Sequence, residues 1–338
     1  MSNINNNIKL TFRKQFSMVN NPKVNWFPGH MAKIYKDLPN QLKKIDILLE
    51  VRDSRIPITS GNPELLKYLH KSNKNIKRII LFNKYDLCNK EKTNNIINNN
   101  FVKCNLKNTK DKSTKVIDTE VIILSAKTQS NVKKMLENIS KSKKEFNTIG
   151  TWGLICGIPN VGKSSLINSL RSIGNSLTNN KSTNIAKKGD LPTTTKHIDY
   201  FRVYDKPNIF ILDSPGIVPP KLNRYNLDSF KLSACRNIKD IIVEKEWVSD
   251  YVLFKLNEAQ QFKYVKCFNL KEPTDNISKF IEEIKKNFKK QSNNDVYDLF
   301  IKKFNEGLLG EITLDEDEIK ELDYNKLLEY DNKQIDKN

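Results

Sequence analysis

The chain of 338 residues is poor in the side chains that build metal centres and covalent frameworks. Its five cysteines, Cys88, Cys104, Cys156, Cys235 and Cys267, lie far apart with no C-x-x-C pair. That spacing fits neither a zinc site nor a disulfide framework and points to a reducing interior. Histidine occurs three times in all. No apolar run approaches the ~20 residues that a membrane-spanning helix needs, and no internal repeat is evident. Acids are missing from the first 36 positions, which carry Lys9, Arg13, Lys14 and Lys23 interleaved with Ile8, Leu10, Phe12 and Phe16. The pattern fits a mitochondrial transit segment over residues 1–22, or an Asn-rich leader with no address.

What the sequence has in excess is positive charge. The formal net charge is +19, and residues 311–338 hold ten acids against four lysines. That tail contributes −6 to the total, which leaves +25 on residues 1–310. A body so charged attracts polyanions, with an affinity that falls as salt rises. An A·T-rich genome would also inflate Lys and Asn, so the charge alone leaves both origins open.

Short apolar runs organise the first two thirds of the chain. Ile79-Ile80-Leu81-Phe82 and residues 45–51, 121–124, 152–156 and 209–212 each end at a polar motif. Such runs, separated by helical patterns, read as buried parallel strands of an α/β sheet with its ligand loops at their carboxyl ends. Leu65, Leu66 and Leu69, and again Val132, Met135, Leu136 and Ile139, repeat at helical spacing. Two Asn/Lys-rich stretches, residues 89–115 and 171–188, read as surface insertions. The strand pattern stops after Pro219-Pro220. Beyond it Ile277, Phe280, Ile281, Ile284 and Phe288 mark an amphipathic helix. Its other face carries Lys279, Lys285, Lys286, Lys289 and Lys290.

The motifs at the strand ends form one set. Gly157-Ile158-Pro159-Asn160-Val161-Gly162-Lys163-Ser164-Ser165 is a phosphate loop between a strand and a helix. Its backbone N–H groups would cradle phosphates, Lys163 would reach the β/γ oxygens, and the Ser164 hydroxyl would ligate Mg²⁺. In Asn83-Lys84-Tyr85-Asp86 the Asp86 carboxylate can accept from guanine N1–H and N2–H₂. Adenine offers neither donor, so a buried acceptor would stay unpaired at a cost of about 1–3 kcal/mol. The Lys84 stem can lie along the base, Asn83 can brace the loops, and Ser125-Ala126-Lys127 can meet guanine O6. Asp213-Ser214-Pro215-Gly216 would supply the water-bridged Mg²⁺ carboxylate and the N–H that senses the γ-phosphate. Of Pro192-Thr193-Thr194-Thr195, the spacing favours Thr195 as the threonine that closes onto Mg²⁺.

Ras-type enzymes follow Asp-x-x-Gly with a glutamine that orients the attacking water; here the position is Ile217. Slow intrinsic hydrolysis follows, with the missing group coming from elsewhere in the chain or from a partner. Asn160 could help to hold a monovalent cation. His30, in Trp26-Phe27-Pro28-Gly29-His30-Met31, could be presented to the γ-phosphate or could simply be a packing histidine.

The guanine motifs precede the phosphate loop, the reverse of the ordinary GTPase order. With Trp26-Phe27-Pro28-Gly29-His30-Met31-Ala32-Lys33 and Asp53-Ser54-Arg55-Ile56-Pro57, the chain resembles the circularly permuted GTPases of the YlqF group, most of all their mitochondrial ribosome-associated members. The likeness extends through residues 231–240 and 304–310. It implies a Ras-like GTPase domain over residues 23–222 and a helical rRNA-binding domain over 223–314, and the acid excess beyond them marks a tail over 315–338. It implies GTP/GDP, Mg²⁺ and K⁺ as ligands and a monomer acting in late assembly of the mitochondrial large ribosomal subunit, at the matrix face of the inner membrane. His30 and Asn160 fall on the positions of the family's catalytic histidine and potassium-binding asparagine. Where relatives carry Pro-Gly-x-Thr, this chain has no glycine. Two other readings stay open: an RNA-binding module that uses GTP only as a structural ligand, and a cytosolic or nucleolar relative acting on cytoplasmic ribosomes.

Overall fold

The computed structural model describes residues 12–16, 29–72, 74–102, 117–141, 150–178, 199–205, 207–217, 227–238 and 243–315. Thr195 with its neighbours, and the tail beyond residue 315, lie outside the described residues. Six strands form one sheet: β1 (Ile47–Asp53), β2 (Lys77–Asn83), β3 (Thr119–Ile123), β4 (Thr151–Cys156), β5 (Asp199–Asp205) and β6 (Asn208–Asp213). Their order is β3-β2-β1-β4-β6-β5, with every neighbouring pair parallel except β5 against β6. The expected α/β sheet is borne out, and each expected apolar run lies in a strand. The edge strand β5 carries no continuous apolar run, and periodicity did not mark it.

Alternation along β1 sorts the two faces. Ile47, Leu49 and Val51 join one buried cluster with α4 (Val132–Ser140) and α5 (Lys163–Thr178). Leu48 points the other way, into a cluster with α1 (Gly29–Leu42) and α2 (Pro63–Lys71). The chain winds outward from β1 to β3 and then returns to β4 on the other side of β1. That reversal makes the carboxyl ends of β1 and β4 the switch point, where open α/β sheets bind ligands.

Both Asn/Lys-rich stretches enter the fold further than their composition suggests. Helix α3 (Lys90–Ile97) runs into a π-helical turn (Asn98–Val102), and together they bury Thr93, Ile96, Ile97 and Phe101. Asn89 caps this helix by accepting from the Lys92 N–H, which is the role short polar side chains fill best. Helix α5 likewise continues through Arg171 to Thr178. Residues 89–102 and 171–178 are therefore part of the fold, and the rest of both stretches lies outside the described residues.

Helices α6 (Leu227–Ala234), α7 (Lys245–Glu258), α8 (Lys263–Cys267), α9 (Ile277–Asn287) and α10 (Asn293–Asn305) follow the sheet. Their apolar side chains share one buried cluster with those of α4 and α5. The chain then runs back to the β1–α2 loop, where Asp315, the first residue of the expected tail, is fully buried. Its carboxylate accepts from the Ile58 and Thr59 N–H groups at 2.8 and 3.1 Å, the Thr59 hydroxyl at 2.6 Å and Lys231 Nζ at 3.0 Å. Asp315→Ala should strand two N–H groups and take from Lys231 its buried carboxylate, leaving it the exposed Asp228 at 3.5 Å, and removing one partner of a buried pair costs about 3–5 kcal/mol. Denaturant unfolding would read that loss.

Candidate functional site

The phosphate loop leaves β4 at Gly157 and enters α5 at Lys163. Its turn requires left-handed backbone at Gly157 (φ 148°), Asn160 (φ 58°) and Gly162 (φ 100°). Glycine at 162 also lets the side chain of Asn83 approach, since a Cβ there would collide with its amide nitrogen. That amide donates to the Val161 carbonyl at 2.8 Å, while its oxygen accepts from the Ala126 N–H at 2.9 Å. Asn83 thus ties the loop after β3 to the loop after β4 from its own position at the end of β2.

Asp86 and Ser125 meet through a 2.6 Å hydrogen bond donated by the serine hydroxyl. Asn83, Lys84, Asp86, Ser125, Ala126, Lys127, Gly162 and Ser165 line one cleft of about 650 Å³. All of these but the last two come from the guanine-reading motifs. Asn305 at the end of α10 closes the wall.

Lys163 is buried within the loop that precedes it. Its Nζ donates to the Gly157 and Ile158 carbonyls, both at 3.0 Å. Burial pulls its ammonium down to about 8, against the opposing pull of the Asp213 carboxylate. The Ser164 hydroxyl stands 3.3 Å from Asp213 Oδ2. A hydroxyl and a carboxylate converging at that long spacing are the hard oxygen donors that Mg²⁺ prefers. Gly216 lies against Pro159, where a Cβ would come within 2.7 Å of the proline ring. Ile217 donates its N–H to the Gly157 carbonyl at 3.0 Å, and its side chain is buried beneath the sheet. Its side chain is packed in the core and has no access to an attacking water. His30 lies in the first turn of α1, and its side chain is outside the described residues.

Three contributors were given no role in the site by the motif reading. Asp53, fully buried at the end of β1, receives Lys84 Nζ at 2.9 Å and the Arg55 guanidinium at 2.8 and 3.0 Å. Burial alone would raise this carboxyl, but the two cations outweigh it and hold it well below the usual carboxylate range. Lys84, the residue expected to lie along the base, is thereby anchored from beneath. Arg55 also reaches Asn305 Oδ1 at 3.1 Å, while Asn305 donates to the Ala234 carbonyl at 2.7 Å. The third is the turn after α6: Asn160 donates to the Arg236 carbonyl and Asn237 to the Pro159 carbonyl, each at 2.7 Å. A charged residue closing a buried strand was the one available signal, and it pointed to Asp53. Asn237 and Asn305 fall within segments 231–240 and 304–310, which carry the family likeness, but their chemistry gave them no role in the cleft.

The family profile described as RsgA GTPase matches residues 62–223, and that described as 50S ribosome-binding GTPase matches residues 153–303. The chain is 31% identical to mitochondrial ribosome-associated GTPase 1 of Ictalurus punctatus over 91% of its own length and 98% of that protein. It is 34% identical to ribosome biogenesis GTPase A of Bacillus licheniformis, over 78% and 85%. Among solved structures, GNP-bound YlqF from T. maritima superposes with a TM-score of 0.52 at 19% identity, covering 85% of this chain and 99% of that one. This last likeness concerns the fold.

Two outcomes follow for nucleotide binding. Asp53→Asn should free Lys84 and lower the affinity for GTP and GDP together by about tenfold, a loss of about 1.4 kcal/mol. Fluorescent-nucleotide titration checks this, and a loss confined to GTP would contradict it. As pH rises through about 8 the buried Lys163 gives up its proton, and phosphate oxygens beside it would restore the charge. Calorimetry at pH 8.5 in buffers of different ionisation enthalpy should therefore show proton uptake on GDP binding, and little at pH 6.5.

Proposed function

The chain belongs to the family of circularly permuted GTPases that includes mitochondrial ribosome-associated GTPase 1, and from that premise we propose that it assists assembly of the mitochondrial large ribosomal subunit. It hydrolyses GTP to GDP and phosphate. In this reading it works as a monomer in the mitochondrion, at the matrix face of the inner membrane. It binds rRNA, is stimulated by the particle, and is released when GTP is spent. The observation that carries the reading is the convergence of the phosphate loop, Asn83-Lys84-x-Asp86 and Ser125-Ala126-Lys127 on one cleft at the switch point of the sheet.

Within that cleft Asp86, held by Ser125, accepts from the guanine edge, and Lys84, held by Asp53, lies along the base. Val161, Gly162 and Ser165 offer backbone and hydroxyl groups to the phosphates, and Lys163 leaves its own carbonyls for the β/γ oxygens. Ser164, Asp213 and Thr195 are the side chains suited to Mg²⁺, and Asn160 to K⁺. Bound there, these cations would neutralise the charge that develops on the phosphate oxygens. Asn160 donates its amide N–H to the Arg236 carbonyl, which fixes the side chain within the phosphate loop. The Gly216 N–H reads the γ-phosphate. His30 is the residue proposed to orient water in place of a glutamine, once the particle orders the segment around it. The lysines of α9 and of the turn that follows it, of which Lys279, Lys286 and Lys289 are exposed, offer a face for rRNA phosphates.

GTP turnover by the full chain, in K⁺ against Na⁺ and with or without mitochondrial large-subunit particles, tests the reading. Turnover should need K⁺ and rise about tenfold or more with particles. Tight GTP binding without turnover under every condition would leave an RNA-binding factor that uses GTP as a structural ligand. Replacing Lys285, Lys286 and Lys289 by Glu should weaken particle binding and flatten its salt dependence. Binding unchanged by the three replacements would exclude α9 as the contact.

A further inference from the structure

Residues 12–16 lie inside the stretch that reads as a transit segment, yet they are packed onto the C-terminal helices. Arg13 makes a fork-to-fork pair with Asp250 of α7, Nη2 to Oδ1 at 2.7 Å and Nη1 to Oδ2 at 2.9 Å. Its backbone N–H donates to Asp275 Oδ2 at 2.6 Å, and its Nε lies 3.1 Å from the same oxygen. The Phe16 ring sits 5.3 to 5.8 Å from the rings of Phe230, Tyr251 and Phe254, edge-on to the first two. The Phe12 ring lies 5.6 Å from Phe262.

This is a built docking site. Asp250 reads the guanidinium in the bidentate geometry that gives such pairs their strength, while Asp275 holds the backbone beside it, and aromatic pockets on either side take the flanking rings. Asp250 is 8% exposed, and both of its oxygens are taken by Arg13. Cutting the chain after residue 22 would strip that carboxylate of its bidentate partner and uncover the aromatic face beside it. Residues 1–11 contain one charged side chain, Lys9, too little for a basic amphipathic address. An address in this region must therefore use Arg13 and Lys14 as well.

We propose that residues 12–16 remain in the mature protein as an intramolecular latch, that Asp250, Asp275 and the aromatic residues around them form its docking site, and that any processing ends upstream of Phe12. The same basic and aromatic residues serve import while the chain is unfolded and hold the helices once it has folded. Only the processing half of this inference depends on the mitochondrial reading. Absence of the protein from isolated mitochondria would sink that reading and leave the latch standing.

The test has two arms. Mass spectrometry of the protein recovered from mitochondria should find its first residue at or before Phe12; a start further along would overturn the proposal. In thermal unfolding with saturating GDP, a chain beginning at residue 12 should match the full chain. A chain beginning at residue 17 should melt several degrees lower and regain part of the loss when a synthetic peptide of residues 8–20 is added. Should that truncation fail to fold, full-length Arg13→Ala should show the lowered melting point, and Arg13→Asp combined with Asp250→Arg should recover part of it. An unshifted melting point for both the truncation and Arg13→Ala would remove the latch.

Discussion

The carboxylate of Asp53 is the constraint on which the site rests. It is fully buried at the end of the central strand β1, and it is shared by Lys84 and Arg55. A buried anion with two cations is tolerated only when each charge is met in good geometry, so the three groups fix one another. Through Lys84 the anion reaches the floor of the cleft proposed to hold the guanine. Through Arg55 it reaches Asn305 and the ring of Phe304, 5.3 Å from the guanidinium. The wall of the cleft and the last of the described helices are therefore attached to the same point.

A second set of contacts joins the helices to the other end of the cleft. The turn after α6 exchanges hydrogen bonds with Pro159 and Asn160, in the part of the phosphate loop that Gly216 approaches from the opposite side. Arg236 takes the same left-handed backbone as Asn160, with φ 58° at both. A shift of the phosphate loop would thus be felt at residues 234–237, and the converse holds by reciprocity. For a protein proposed to exchange nucleotide state for particle binding, this is a short physical route between the two.

The permuted motif order costs the site nothing. Loops at the carboxyl ends of β1, β2, β3, β4 and β6 converge because those strands are parallel and adjacent, whatever order the chain visits them in. What permutation changes is which segments connect the parts. Here the chain arrives at β1 from α1 and leaves β6 for the helices, so residues far apart in sequence close around the cleft.

Much of this was legible beforehand for a local reason. Motifs such as 157–165, 83–86 and 213–216 are contiguous, and each follows a run of buried apolar residues, so spacing and hydrophobicity were enough to find them and to set the α/β class. The sequence by itself determined which chemical groups stand at the strand ends and that they suit a guanine nucleotide. Composition misled where Asn and Lys predominate, because α3 buries its few apolar residues within a polar stretch. Only the tertiary structure decided that Asp53 anchors Lys84, that Asn305 walls the cleft, that Asp315 is a buried acceptor and that Phe12, Arg13 and Phe16 belong to the helical part. Each of these depends on charges and rings brought together across some 30 to 260 positions of chain. Neither periodicity nor spacing carries such pairings, since they arise only when folding removes the alternative of water.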